Sequence, residues 1–127
     1  MNENELSKII VESAIEVHKI LGGPGLLESV YEEALVWEIL QRDIFLERQL
    51  VVPIVYKGSI LATPLRLDIM VAKKVIIEVK SVALYNSIFE AQTLTYLRMM
   101  NLRLGIVINF GERLVRDGIH RVVNGME

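Results

Sequence analysis

Thr63-Pro64-Leu65-Arg66-Leu67-Asp68-Ile69-Met70-Val71, followed by Ala72-Lys73-Lys74 and Val75-Ile76-Ile77-Glu78-Val79-Lys80, is the stretch on which the fold turns. Its first part alternates as a strand does, which predicts Leu65, Leu67, Ile69 and Val71 on one face and Arg66, Asp68 and Met70 on the other. Ala72-Lys73-Lys74 turns the chain back, and in the second strand Val75, Ile77 and Val79 point one way while Ile76, Glu78 and Lys80 point the other. Strands joined so closely pair as an antiparallel hairpin, so Asp68 is brought towards the face shared by Glu78 and Lys80.

Working outward, Glu47 to Tyr56 is β-branched and partly alternating, and Lys57-Gly58 reads as a tight turn into Ser59–Ala62, a hairpin. Ahead of it lie two helices. From Glu3 to Leu21 apolar residues recur at helical spacing until Gly22-Gly23-Pro24-Gly25 stops them, and a second helix runs from about Leu26 to Gln41. That second helix carries apolar residues around most of its circumference, which predicts burial on more than one side. Behind the central strands, Asn86 to Met100 returns to helical spacing and Leu104 to Asn109 is a fully apolar strand. Asp117-Gly118 links the last two short strands, which end near Val123. The expected order is α-α-β-β-β-β-α-β-β, an α/β class with one sheet and helices packed on it. No repeat or Pro/Ser-rich linker interrupts the chain, so residues 1–127 are read as a single domain.

Composition removes several function classes. There is no cysteine, hence no disulfide framework, thiolate-bound zinc or cysteine nucleophile, which suits a reducing, cytoplasmic setting. Met1-Asn2-Glu3-Asn4-Glu5 is acidic where a signal peptide would be basic, and no apolar run reaches the ~18 residues of a membrane span, so no membrane association is expected. The formal net charge of −2 is unevenly spread: residues 1–65 carry 5 Lys/Arg against 10 Asp/Glu, residues 66–127 carry 9 against 6. Any contact with a polyanion should therefore favour the second half. No Ser-His-acid set, phosphate-binding Gly-rich loop or zinc-ligand spacing occurs.

The chemistry-bearing residues cluster around the opening stretch. Two carboxylates converging from adjacent strands, Asp68 and Glu78, make a hard-oxygen site suited to Mg²⁺ or Mn²⁺, and Lys80 beside them can position a water or neutralise a phosphate. A salt-bridge cluster on the polar face of an amphipathic sheet is the alternative. Glu28 stands in line with Tyr31, Leu35 and Ile39, where a carboxylate needs a metal or a cation as partner; it also lies in the first helical turn, where the dipole favours an acid. Gln92 and Tyr96, four apart on one helix, can both face the sheet and hold a water, a phosphate oxygen or a base; a solvent-exposed amide and a core aromatic are the plainer assignments. His18 lies on the shoulder of the first helix's apolar stripe, either packed and hydrogen-bonded or a metal ligand. His120 carries no readable signal.

Gly25-Leu26-Leu27-Glu28-Ser29-Val30-Tyr31 resembles the signature of the GxxExxY proteins, a bacterial and archaeal group of the PD-(D/E)XK nuclease superfamily. Ala14–His18, Arg66–Asp68, Ile77–Lys80, Glu90–Leu97, Leu104–Gly111 and Asp117–Ile119 resemble the same pattern in order, over nearly the whole chain. The resemblance implies a restriction-endonuclease-like core, a mixed central sheet flanked by helices. It further implies Asp68 as the metal-binding aspartate, Glu78 as the second acid, Lys80 as the motif lysine and Glu28 as a helical acid added to the metal site. Gln92 and Tyr96 resemble the Gln-x-x-x-Tyr element of RecB-like nucleases, in which an upstream histidine, here His18, also belongs to the site. Arg66 and Tyr96 are the substrate-binding candidates. The expected activity is Mg²⁺- or Mn²⁺-dependent cleavage of DNA or RNA, with a homodimer or a protein partner as a further expectation for so small a fold. The rival expectation is a catalytically silent interaction module that keeps these residues as structure. One departure is Leu67, where the superfamily motif has proline.

Overall fold

The computed structural model describes residues 1–125. Helix α1 spans Glu3–Leu21 and starts with a capping box: the Asn2 side chain accepts the Glu5 N–H (2.8 Å) and the Glu5 carboxylate accepts the Asn2 N–H (3.0 Å). It ends as expected at Gly22, whose φ of 90° is a left-handed cap that glycine adopts without strain. Helix α2 spans Glu28–Gln41 and buries Tyr31, Glu32, Leu35 and Ile39. Ala34 and Val36 pack partly against the same core, but Val30, Trp37 and Leu40 are exposed, so the helix is buried on one side and not on several.

Five strands form the main sheet in the order β1-β4-β5-β6-β7, with β1 at Leu46–Val52, β4 at Leu65–Val71, β5 at Val75–Lys80, β6 at Leu104–Asn109 and β7 at Ile119–Val123. Only β5 and β6 run parallel, joined by the crossover helix α3 (Ile88–Met100), so the sheet is mixed. This is a restriction-endonuclease-like architecture. The strand expected over Glu47–Tyr56 breaks at Pro53, which has no N–H to give to a ladder. Beyond it β2 (Val55–Tyr56) and β3 (Ser59–Ile60) make a separate two-stranded hairpin. Lys57 and Gly58 turn it with φ of 49° and 82°, the left-handed pair a tight hairpin needs. Asp117-Gly118 closes a 3-10 turn, Val115–Gly118, that leads into β7.

The core has two layers, one on each face of the sheet. Leu6, Ile10, Ala14 and Val17 of α1 and Tyr31, Leu35 and Ile39 of α2 pack on Val75, Ile77, Val79, Ile106 and Ile108. On the other face Leu97 of α3 packs on Ile76, Val107 and Val122. Gly105 lets α3 come this close, since a Cβ there would lie 2.5 Å from Thr93 Cγ2. No helix among the described residues is long and apolar enough to cross a membrane.

The alternation expected along β4 fails at Asp68. Ile69 and Val71 face α1 and α2, but Leu65 and Leu67 lie with Met70 in the α3 layer. Strand β1 changes sides with it, Leu46 packing on the first layer and Leu50 and Val52 on the second. The pairing register is unbroken across the change (Arg48↔Ile69, then Leu50↔Leu67), so the two strands turn over together at Gln49 and Asp68. Gln49 carries the distortion, with φ of 51°.

Candidate active site

The turnover sets Asp68 in a gap between strands. The β4–β5 ladder runs from Val71↔Val75 to Ile69↔Ile77 and stops there. In place of the next backbone pair, Asp68 Oδ2 accepts the Val79 N–H at 2.8 Å and Glu78 Oε2 accepts the Asp68 N–H at 3.2 Å. Each carboxylate thus takes a backbone donor from the opposite strand, which satisfies groups that the splayed strands would leave bare.

Asp68 is half-buried and Glu78 buried, with only 8% of its surface exposed. Burial, then the Asp68 charge and a hydrogen bond to its carboxyl, push the Glu78 carboxyl up to about 9, against the pull of the Lys80 ammonium. At neutral pH, with no cation present, Glu78 therefore holds a proton. Lys80 leaves β5 on the same face as Glu78, its Nζ 4.5 Å from the Phe89 ring centroid on α3. Tyr96 is half-buried, and its hydroxyl is pushed up by burial and then by the charges of Glu78 and Asp68, so it lies within the field of the pair. The structure accordingly brings Asp68, Glu78, Lys80 and Tyr96 to one place.

The remaining sequence candidates stand further out. Gln92 is exposed one turn before Tyr96. Arg66 is exposed on β4 opposite Val51. Glu28 is exposed in the first turn of α2, below the buried stripe that starts at Tyr31, and its Oε2 accepts the Ser81 N–H at 3.3 Å. Ser81 Oγ donates to the Leu26 carbonyl at 2.8 Å, so the start of α2 is tied to the residue that follows Lys80. His18 is buried and its Nε2 donates to the Phe110 carbonyl at 3.1 Å, while the Phe110 N–H donates to the Lys80 carbonyl at 2.8 Å. His18 therefore reaches the lysine strand through Phe110.

Three supporting groups escaped the sequence reading. Asn109, fully buried, accepts the Val82 and Gly111 N–H groups and donates to the Val82 carbonyl, all at 3.0 Å, fixing the chain just past Lys80. A polar residue closing an apolar strand was its only signal. Glu32, buried on α2, accepts Arg48 Nε at 2.6 Å and Gln49 Nε2 at 2.9 Å, holding β1 where it turns over opposite Asp68. Its position one residue after Tyr31, on the buried stripe, was legible. The third is a contact of Tyr85, Glu90 and His120: the Tyr85 hydroxyl donates to Glu90 at 3.2 Å, and its ring stacks on His120 with centroids 3.8 Å apart.

Among the described residues no three His, Asp or Glu side chains group closely enough to enclose an ion. The donor set nevertheless suits a hard divalent cation. Such ions take one or two carboxylates and fill their remaining positions with water and substrate oxygens. Asp68 and Glu78 supply two, and a bound cation would offset both the burial and the Asp68 charge that keep Glu78 protonated.

A mixed sheet with helices on both faces, and an acid pair and a lysine where two of its strands splay apart, defines a nuclease-like α/β domain. The chain belongs to the PD-(D/E)XK nuclease superfamily, whose family model matches residues 4–122. No curated protein and no solved structure gives a significant match to the chain.

Proposed function

We propose that this chain is a metal-dependent nuclease, hydrolysing phosphodiester bonds of DNA or RNA, and that it belongs to the prokaryotic, cytoplasmic GxxExxY group. The observation that carries the reading is the reciprocal Asp68/Glu78 arrangement with Lys80 on the same face. Asp68 and Glu78 would hold Mg²⁺ or Mn²⁺, with the Val79 carbonyl and Glu28 completing the set. When bound, the ion supplies positive charge to the scissile phosphate. Lys80 orients the attacking water for in-line approach to phosphorus, and its ammonium offsets charge as the new P–O bond forms and the leaving P–O bond breaks. Tyr96 and Gln92 position the water or a non-bridging phosphate oxygen, and Arg66 binds the flanking substrate.

The test is cleavage of single-stranded and duplex DNA and RNA in Mg²⁺ or Mn²⁺, by the wild type and by Asp68→Asn and Lys80→Ala. Cleavage should fall by about 10²-fold or more in each variant while circular dichroism stays unchanged. Undiminished metal-dependent cleavage in both contradicts the assignment.

A further inference from the structure

An open groove of about 640 Å³ lies between the last turns of α1 and the segment that follows β6. Its floor is apolar, with Ile15, Leu114 and Val115, and its walls carry Lys19, Arg113 and Arg116. No acidic side chain lines it, in a chain whose 16 acids outnumber its 14 Lys and Arg. The three cations are exposed, and none has an ion-pair partner among the described residues. Two of them belong to the basic second half of the chain.

The groove also leads somewhere. Gly22 and Gly23, which line it, are followed in the chain by Pro24 and Gly25, which line a second hollow with Leu26 and Ser81; a third hollow shares Leu26 and Ser81 and continues to Glu28. The row of hollows thus ends at the residue after Lys80. His18, which lines the groove, is bonded to the Phe110 carbonyl, and the Phe110 N–H donates to the Lys80 carbonyl.

We propose that this groove carries the single nucleic-acid strand leading away from the cleavage site, its phosphates on Lys19, Arg113 and Arg116 and its bases against the apolar floor. The inference rests on the nuclease reading above for the direction of the strand. Unpaired cations track a phosphate backbone, and an apolar floor between them suits base faces that only an unpaired strand exposes. An acidic peptide would meet the same charges but has no use for the floor.

The experiment compares the wild type with Lys19→Glu/Arg113→Glu/Arg116→Glu, and with the milder triple Gln variant. Binding of a short fluorescein-labelled single-stranded oligonucleotide is followed by anisotropy in EDTA, over a range of salt. The Glu variant should bind about 10- to 100-fold more weakly and the Gln variant less so, with the slope of log K against log[salt] reduced by about 2, at ~0.7 per lost phosphate contact. Duplex of the same length should be affected less, polyglutamate should compete poorly, and metal-dependent hydrolysis of bis(p-nitrophenyl) phosphate should be unchanged. Unchanged oligonucleotide binding in the Glu variant overturns the proposal, as does an equal loss for duplex or effective competition by polyglutamate. Lost binding together with a wild type that cleaves nothing supports the groove and counts against the nuclease reading. Wild-type cleavage with undisturbed binding in the variant does the reverse.

Discussion

The two ends of the β4–β5 hairpin belong to the same pair of strands and behave in opposite ways. At the closed end, from Val71↔Val75 to Ile69↔Ile77, backbone pairs with backbone and every side chain is apolar and buried. At the open end, one residue further on, Asp68 and Glu78 take over as acceptors for each other's strands. The closed end derives its stability from burial, which is insensitive to pH. The open end depends on two carboxylates whose charges oppose each other, so its stability depends on protons and cations. A strained acid pair and the core that supports it thus sit on adjacent rungs of one ladder.

The largest expected effect comes from breaking the closed end. Ile77→Ala removes a fully buried side chain from between the sheet and helices α1 and α2 and should cost about 2–5 kcal/mol in urea unfolding, equally at acidic and alkaline pH. A smaller effect of opposite sign sharpens the contrast at the open end. With the Glu78 carboxyl at about 9 in the fold and 4.5 as its ordinary value, the folded state binds more protons than the unfolded between those limits. Metal-free stability should therefore fall as pH rises from 4.5 towards 9. Glu78→Gln removes that penalty. In EDTA the variant should unfold at higher urea than the wild type at pH about 8 and at nearly the same urea near pH 4, below the Glu78 value in both the folded and the unfolded chain. A wild type equally stable across that range would show that the pair is not strained.

Much of this was legible in the sequence, for reasons that differ between elements. Strand β5 could be read residue by residue, because it lies flat in the sheet with both faces covered and its alternation runs uninterrupted from Val75 to Lys80. The end of α1 was legible because a run of glycines has few other uses. Strand β4 misled, since alternation presumes that a strand keeps its faces, and nothing local announces that Gln49 and Asp68 turn the pair over together. The cause is tertiary: Glu32, on α2, grips Gln49 from above. Helix α2 misled in another way, because apolar residues around a whole wheel do not say which of them meet a core. Trp37 and Leu40 remain exposed although they are as apolar as Leu35 and Ile39.

Asp68, Glu78, Lys80 and Tyr96 were singled out because their types and spacing are those that the proposed chemistry would use. Asn109 and Glu32, which hold the chain beside them, were not, because their partners are mostly backbone or lie on elements distant in sequence. An acid pair and a lysine mark the residue pattern together, whereas Asn109 and Glu32 each leave only a lone polar residue on an apolar strand or stripe, and their partners show only in three dimensions.

The most direct measurement is calorimetric titration of Mn²⁺ and Mg²⁺ into the wild type and into Asp68→Asn/Glu78→Gln at neutral pH, in two buffers of different ionisation heat. The wild type should bind with release of a proton, as the Glu78 carboxyl ionises against the incoming charge, and the double variant should not bind. Equal binding by both proteins would contradict this, for the ion would then sit somewhere other than between Asp68 and Glu78.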